Sequence, residues 1–142
     1  MAAPTPAVQA EPLGATSTGL PPRVAACLAY SMWWLSGALV LAIERRNRFV
    51  RFHAAQAVAG FGLLWTCGVA VWSLSFLMAF VSPLAFRVTA VIGPLFWAGA
   101  VAAWAWCVWQ AARGEAWRMP WVGAWADARA ARRADAGDIT GR

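Results

Sequence analysis

Three long apolar stretches, each free of charged residues, divide the chain, and arginine or proline marks every break between them. Val24 to Ile43 is twenty residues without a charge. At about 1.5 Å per residue, a helix of that length covers about 30 Å, the thickness of a bilayer's hydrocarbon core. The second stretch begins at Ala54 and stays uncharged through Ser82. It is longer than a crossing needs, so either its helix tilts or its first turn, with Gln56, lies among headgroups. Pro83 ends it. The third stretch, Val88 to Ala112, follows Arg87 and contains Gly93-Pro94. Proline inside a helix removes a backbone hydrogen bond and bends the axis, whereas at the first turn it is harmless. This span is therefore either a regular helix from Pro94 or a kinked one from near Val88.

The pattern predicts an all-α membrane protein with three transmembrane helices, at about 24–43, 54–81 and 88–112, within one domain of residues 23–112. Residues 1–22 hold five prolines, a single charge at Glu11 and no periodicity, which predicts a disordered Pro/Ala-rich tail. A basic leader is missing from it, so it does not read as a signal peptide. After Arg113, Trp117, Trp121 and Trp125 recur at spacing four among arginines. Residues 113–142 thus read as a cytoplasmic segment carrying an amphipathic interfacial helix from Pro120 to about Ala134, then a frayed end.

Composition narrows the class. The chain is 61% hydrophobic and 13% charged, with a mean hydropathy of +0.55, too apolar for a soluble globule of this length. All twelve basic residues are arginine and the net charge is +6. They flank apolar spans instead of lining a polar face, which argues against nucleic acid and for membrane topology. The first loop carries Arg45, Arg46, Arg48 and Arg51, and the C-terminal segment Arg113, Arg118, Arg129, Arg132, Arg133 and Arg142. The N-terminal tail has only Arg23 and the second loop only Arg87. With three spans, the positive-inside rule gives a multi-pass protein of the inner (cytoplasmic) membrane, N-terminus outside and C-terminus cytoplasmic. Cys27, Cys67 and Cys107 fall at three depths, without metal-ligand or disulfide spacing.

Small-residue rows at spacing four, Gly62-Thr66-Ala70 and Gly99-Ala103-Cys107-Ala111, are the expected helix-contact seams. Trp65 with Trp72, and Trp97 with Trp104, share a face each: packed or lipid-facing aromatics, or a platform for a pigment, quinone or carotenoid.

The topology gathers a polar collar on the cytoplasmic side: Glu44, the four loop arginines, the single histidine His53, Gln56, Gln110 and Arg113. Ionisable groups near a bilayer are functional candidates. The arginines can hold lipid phosphates. His53 reads as an interfacial residue with a hydrogen-bonded ring, as a proton relay, or as an axial ligand to haem or chlorophyll. No nucleophile–base pair, paired acids or phosphate loop appears, so no enzymatic activity is expected.

Asn47-Arg48-Phe49-Val50-Arg51-Phe52-His53-Ala54-Ala55-Gln56 resembles a signature of the Tic20-like family of small membrane proteins, grouped with the uncharacterised domain DUF4870. The segment Arg113-Gly114-Glu115-Ala116-Trp117-Arg118-Met119-Pro120 is similar to that family's Gly-Glu-x-aromatic-Arg-x-Pro ending, with Trp117 where Tyr or Phe is usual. The resemblance spans roughly residues 24–127 and implies a helical membrane fold. Through the plant relatives it also implies a transport or protein-translocation role. The leading expectation is a non-enzymatic accessory or scaffold subunit of a larger membrane complex. Its expected partners are membrane lipids and other subunits or further copies of the chain. Transport and cofactor binding at His53 are the alternatives.

Overall fold

A computed structural model describes residues 13–120, 122–126 and 128, and among these every regular element is helical. In chain order they are α1 (Pro22–Leu28), α2 (Trp34–Ile43), α3 (Arg48–Gln56), a π-helical turn (Ala57–Phe61), α4 (Gly62–Val81) and α5 (Pro83–Arg113). α3, the π turn and α4 form one continuous rod, Arg48–Val81. Among the described residues, that rod and α5 are the two helices long and apolar enough to cross a membrane.

The boundaries follow from local chemistry. Asn47 starts α3 by accepting the Val50 N–H on its side chain at 3.1 Å, so the second helix begins six residues before Ala54 and takes the whole Arg48–His53 stretch into its first turns. Ser82 is extended and Pro83 occupies the first turn of α5, which ends one helix and opens the next. α5 therefore begins before the expected Val88 and runs through Pro94. At its other end Gly114 takes a left-handed φ of 81°. The Glu115 N–H then bonds the Gln110 carbonyl at 3.0 Å and the Gly114 N–H that of Ala111 at 3.1 Å, a helix stop that glycine adopts without a side-chain clash. The expected interfacial helix from Pro120 lies mostly outside the described residues, where only 123–126 and 128 are helical; the frayed end at 135–142 lies wholly outside them.

The first apolar stretch is not one helix. Ser36 donates to the Ala29 carbonyl at 3.0 Å and accepts the Met32 N–H at 2.9 Å, offering the backbone an alternative to the helical ladder. Trp33 sits at φ 57°. The chain turns back there. Ser17 bonds the Glu44 carboxylate, Asn47 donates to the Gly14 carbonyl, and Arg23 lies so close to Gly114 that a Cβ there would be 2.9 Å from its Nε. A straight helix over 24–43 would separate Ser17 from Glu44 by about 30 Å, and the few residues from Ser17 to Pro22 cannot bridge that at about 3.4 Å each. α1 and α2 are thus the arms of a hairpin. The arrangement breaks the single helix expected over 24–43 into two and sets residues 13–21 beside the first loop. Residues 13–21, expected within a disordered tail, are described and docked on Glu44 and Asn47; residues 1–12 lie outside the description.

The hairpin covers only half of the rod. Its tip reaches Phe61 and Trp97, with ring centroids 5.4 and 5.5 Å from Trp33. Below that level, Tyr30, Phe61, Cys107 and Ala111 form a closed core, and Cys27, expected at a different depth from Cys107, packs against the same core. Above it, α4 and α5 continue as a bare pair.

Of the spacing-four rows, that pair buries only Cys107 and Ala111. Phe61, Gly68 and Ser75 are buried on one side and Gly93, Ala100 and Cys107 on the other, each row spaced by seven. Thr66 and Ala70 are exposed, and a Cβ at Gly99 would meet nothing within 4 Å. A seven-residue repeat is the seam of near-antiparallel left-handed packing. At its closest point a Cβ on Gly68 would lie 2.5 Å from the Trp97 indole. Gly68→Ala is expected to lower thermal stability in detergent by roughly 1–3 kcal/mol through overpacking, whereas Gly99→Ala leaves it unchanged. Equal melting of the two variants would remove the heptad seam.

Candidate functional site: a buried polar knot

The residues singled out from the sequence split into an exposed set and a buried one. Arg45, Arg46, Arg48, Arg113, Glu115 and Pro120 are exposed, and Arg113 and Glu115 form a surface ion pair at 3.2 Å. Phe49 is half-buried, whereas Glu44, Arg51, Phe52, His53, Gln56 and Gln110 are buried. The buried members do not form a collar facing lipid headgroups. They tie four chain segments together.

Glu44, only 1% exposed, sits between the hairpin and α3. Its carboxylate accepts the Ser17 N–H at 2.9 Å, the Ser17 hydroxyl at 2.9 Å, and the Arg46 and Asn47 N–H groups at 3.0 Å each. Burial pushes its pKa up, but those donors outweigh it and hold the carboxyl below its ordinary value. Arg51 donates to the Glu44 main-chain carbonyl at 2.8 Å, so this arginine is an internal strut.

The second part of the knot centres on Tyr30, the chain's single tyrosine. Its hydroxyl lies 3.1 Å from His53 Nδ1, and Gln56 Nε2 donates to it at 3.4 Å. Trp104 Nε1 donates at 2.8 Å to the Tyr30 carbonyl, which also accepts the Trp33 N–H at 3.2 Å. The His53 ring is enclosed edgewise by Phe49, Phe52 and Tyr30, with centroids 4.5, 5.3 and 5.8 Å away. The same ring lies beside the Glu115 main chain. Its surroundings are aromatic side chains and backbone, and its Nε2 is buried without a hydrogen-bond partner.

Gln56 makes the longest-range connection. Its Nε2 donates to the Trp117 carbonyl at 3.2 Å, and its Oε1 accepts the Met119 N–H at 3.1 Å. One side-chain amide thereby pairs with the backbone of the post-α5 segment as a neighbouring strand would. The two sequence elements, Asn47–Gln56 and Arg113–Pro120, are two halves of one structural joint. Tyr30 was missed from sequence, where a lone tyrosine inside an apolar stretch was the available signal, and Trp104 was read only as one of a packed or lipid-facing aromatic pair. The tryptophans do not make one platform: Trp97 packs on Trp33 and Trp65, while Trp72 is exposed. No cluster of three His, Cys, Asp or Glu side chains suited to a metal occurs among the described residues.

Two long apolar helices and an apolar exterior, joined at one end by this knot, define a small helical membrane protein. The chain belongs to the MamF/MmsF family, the magnetosome magnetite crystal formation protein family, whose model matches residues 20–126. A UPF0132 membrane protein of Methanocaldococcus jannaschii is 30% identical over 111 residues, covering 78% of this chain and 90% of its own. A UPF0132 membrane protein of Archaeoglobus fulgidus is 27% identical over 101 residues, 71% of this chain and 87% of its own. No solved structure matches. These findings overturn the Tic20-like and DUF4870 resemblance: the matched family spans both motif elements, and no comparison points to Tic20-like proteins. The translocation role rested on that resemblance and goes with it.

Two variants test the knot. Gln56→Leu strips partners from the Trp117 carbonyl and the Met119 N–H, at an expected cost of roughly 1–3 kcal/mol. Trypsin should then cut faster at Arg118, while the exposed Arg46→Ala leaves the rate unchanged. Glu44 has a lowered folded-state pKa, so its stabilisation is present above the ordinary carboxylate range and is lost as pH falls through the lowered value. Glu44→Gln should flatten that acid limb in melts across pH; an unaltered limb would assign it to other groups.

Proposed function

We propose that this chain is a non-enzymatic structural component of the inner membrane system, with two spanning helices, a re-entrant N-terminal hairpin and both termini cytoplasmic. The observation that carries the reading is the pairing of Ser17 with Glu44, which brings the N-terminal segment to the end of the molecule holding the first loop. The charges agree. Arg23, Arg45, Arg46, Arg48, Arg51, Arg113 and Arg118 belong to that end, against Arg87 at the other, a stronger positive-inside bias than three spans produce. The buried knot supports a structural role, because Glu44, Tyr30 and Gln56 in it join separate segments of the chain.

The family's description links its members to magnetite crystal formation. In this chain we place that role in the enclosing membrane, not in contact with mineral. Of the described acids, Glu44 is saturated by four donor groups and Glu115 is paired with Arg113. The archaeal relatives are named only as membrane proteins, which fits a shared scaffold. Further copies or other membrane subunits are the partners this reading expects along the exposed α4–α5 faces.

Topology reporters fused at the N-terminus, in the Ser82–Arg87 turn and at the C-terminus test the arrangement. Both termini should report cytoplasm and the turn the opposite side. An exported N-terminus would reinstate three spans. Extraction in mild detergent should retain a homo-oligomer or a stoichiometric membrane partner; a lone monomer would remove the scaffold role.

A further inference from the structure

We infer that this protein is a one-leaflet wedge that prefers, and at high density promotes, membrane curved with its arginine-rich end on the convex side. The inference rests on the proposed topology and adds to it a shape.

The two ends of the molecule differ in cross-section. At the arginine-rich end, α1, α2, α3 and the last turns of α5 pack side by side around the Tyr30–Phe61–Cys107 core. Beyond the hairpin tip, only α4 and the first half of α5 remain, and their buried residues are the small Gly68, Ser75 and Gly93. The tip stands level with Phe61, Gly62 and Trp97. From Trp65 to Val81 the rod continues for about 24 Å at about 1.5 Å per residue, most of a hydrocarbon core about 30 Å thick. The hairpin therefore ends inside one leaflet.

Its outer surface is built for that leaflet. An open groove of about 560 Å³ between the arms is lined by Leu20, Leu28, Met32, Leu35, Leu39 and Ile43. All six are exposed, Met32 and Leu39 above 60%, so this face meets acyl chains. Exposed Arg23, Arg45, Arg46 and Arg48 ring the same end, where lipid phosphates lie, and fix the hairpin's depth. Apolar helices held at the boundary of headgroups and acyl chains add area to the leaflet they occupy. The bare α4–α5 pair adds much less to the other. Unequal area relaxes by bending toward the wider end. The knot makes the wedge rigid, because Glu44 and Gln56 fix the hairpin and the post-α5 segment to the rod, so the shape does not flatten on insertion.

The full chain, tagged at both termini and reconstituted at low density, tests this without altering the fold. Protease access to each tag is read in small sonicated and large extruded vesicles of the same anionic lipid mixture. In small vesicles both tags should be cut together in nearly every molecule, with the wide end on the convex outer leaflet. In large vesicles the cleaved fraction should fall toward an even split. Joint cleavage that is independent of vesicle size, or joint protection in small vesicles, overturns the wedge while leaving the topology intact. Tags cleaved on opposite faces overturn the topology, and the wedge with it. As an independent readout, labelled protein oriented with its wide end outward should be enriched several-fold on narrow tubes pulled from giant vesicles. Equal density on tube and vesicle rejects the preference.

Discussion

A backbone that leaves a helix inside an apolar medium must find a partner for every N–H and C=O it frees, and this requirement organises the whole chain. At the tip of the hairpin, Ser36 and the Trp104 indole serve the carbonyls and amide released between α1 and α2. At the loop before α3, the Glu44 carboxylate and the Asn47 side chain collect the free amides, and Arg51 answers the Glu44 carbonyl. After α5, Gly114 closes the helix and Gln56 takes the next strand of backbone. Local caps are joined by side chains from other segments, Trp104 on Tyr30 and Gln56 on Trp117 and Met119, so local breaks become tertiary joints.

This accounting explains why so many polar residues gather at one end of a chain that is otherwise apolar. Buried polar networks are costly unless complete, and complete ones rigidify. The far end makes no such departures apart from the Ser82-Pro83 turn, where a serine cap and a proline suffice. It needs no network and can be two helices meeting over glycines. The asymmetry in shape and the asymmetry in chemistry have the same origin.

Helix content, the apolar exterior, the stop of the second helix at Pro83 and the end of the last apolar run at Arg113 were legible in the sequence, because uncharged length, charge and proline act locally; the start of α5 directly at Pro83 was not. The importance of 47–56 and 113–120 was also legible, as recurring motif-like elements. Their role was not. Arginines and glutamines near a membrane read as headgroup contacts by default, and nothing in spacing reveals that Gln56 pairs with residues more than sixty positions away. The family was misread for a similar reason: a short basic-aromatic motif opening an apolar helix is shared physics, and only the match across residues 20–126 discriminated.

By itself, the sequence determined an apolar, membrane-type chain with its arginines gathered in the first loop and after the last apolar stretch, since hydropathy and charge are sums over residues. Whether residues 24–43 form one helix was decided by tertiary structure. Twenty uncharged residues permit a spanning helix, yet one serine hydroxyl competing for backbone at Ala29 and Met32, with Tyr30 held by His53 and Trp104, makes a returning hairpin more favourable. The seam between α4 and α5 was likewise open in sequence, where small residues recur at both four and seven. The Trp97 ring seated on Gly68 selected seven, because a large ring fits only opposite a position with no side chain.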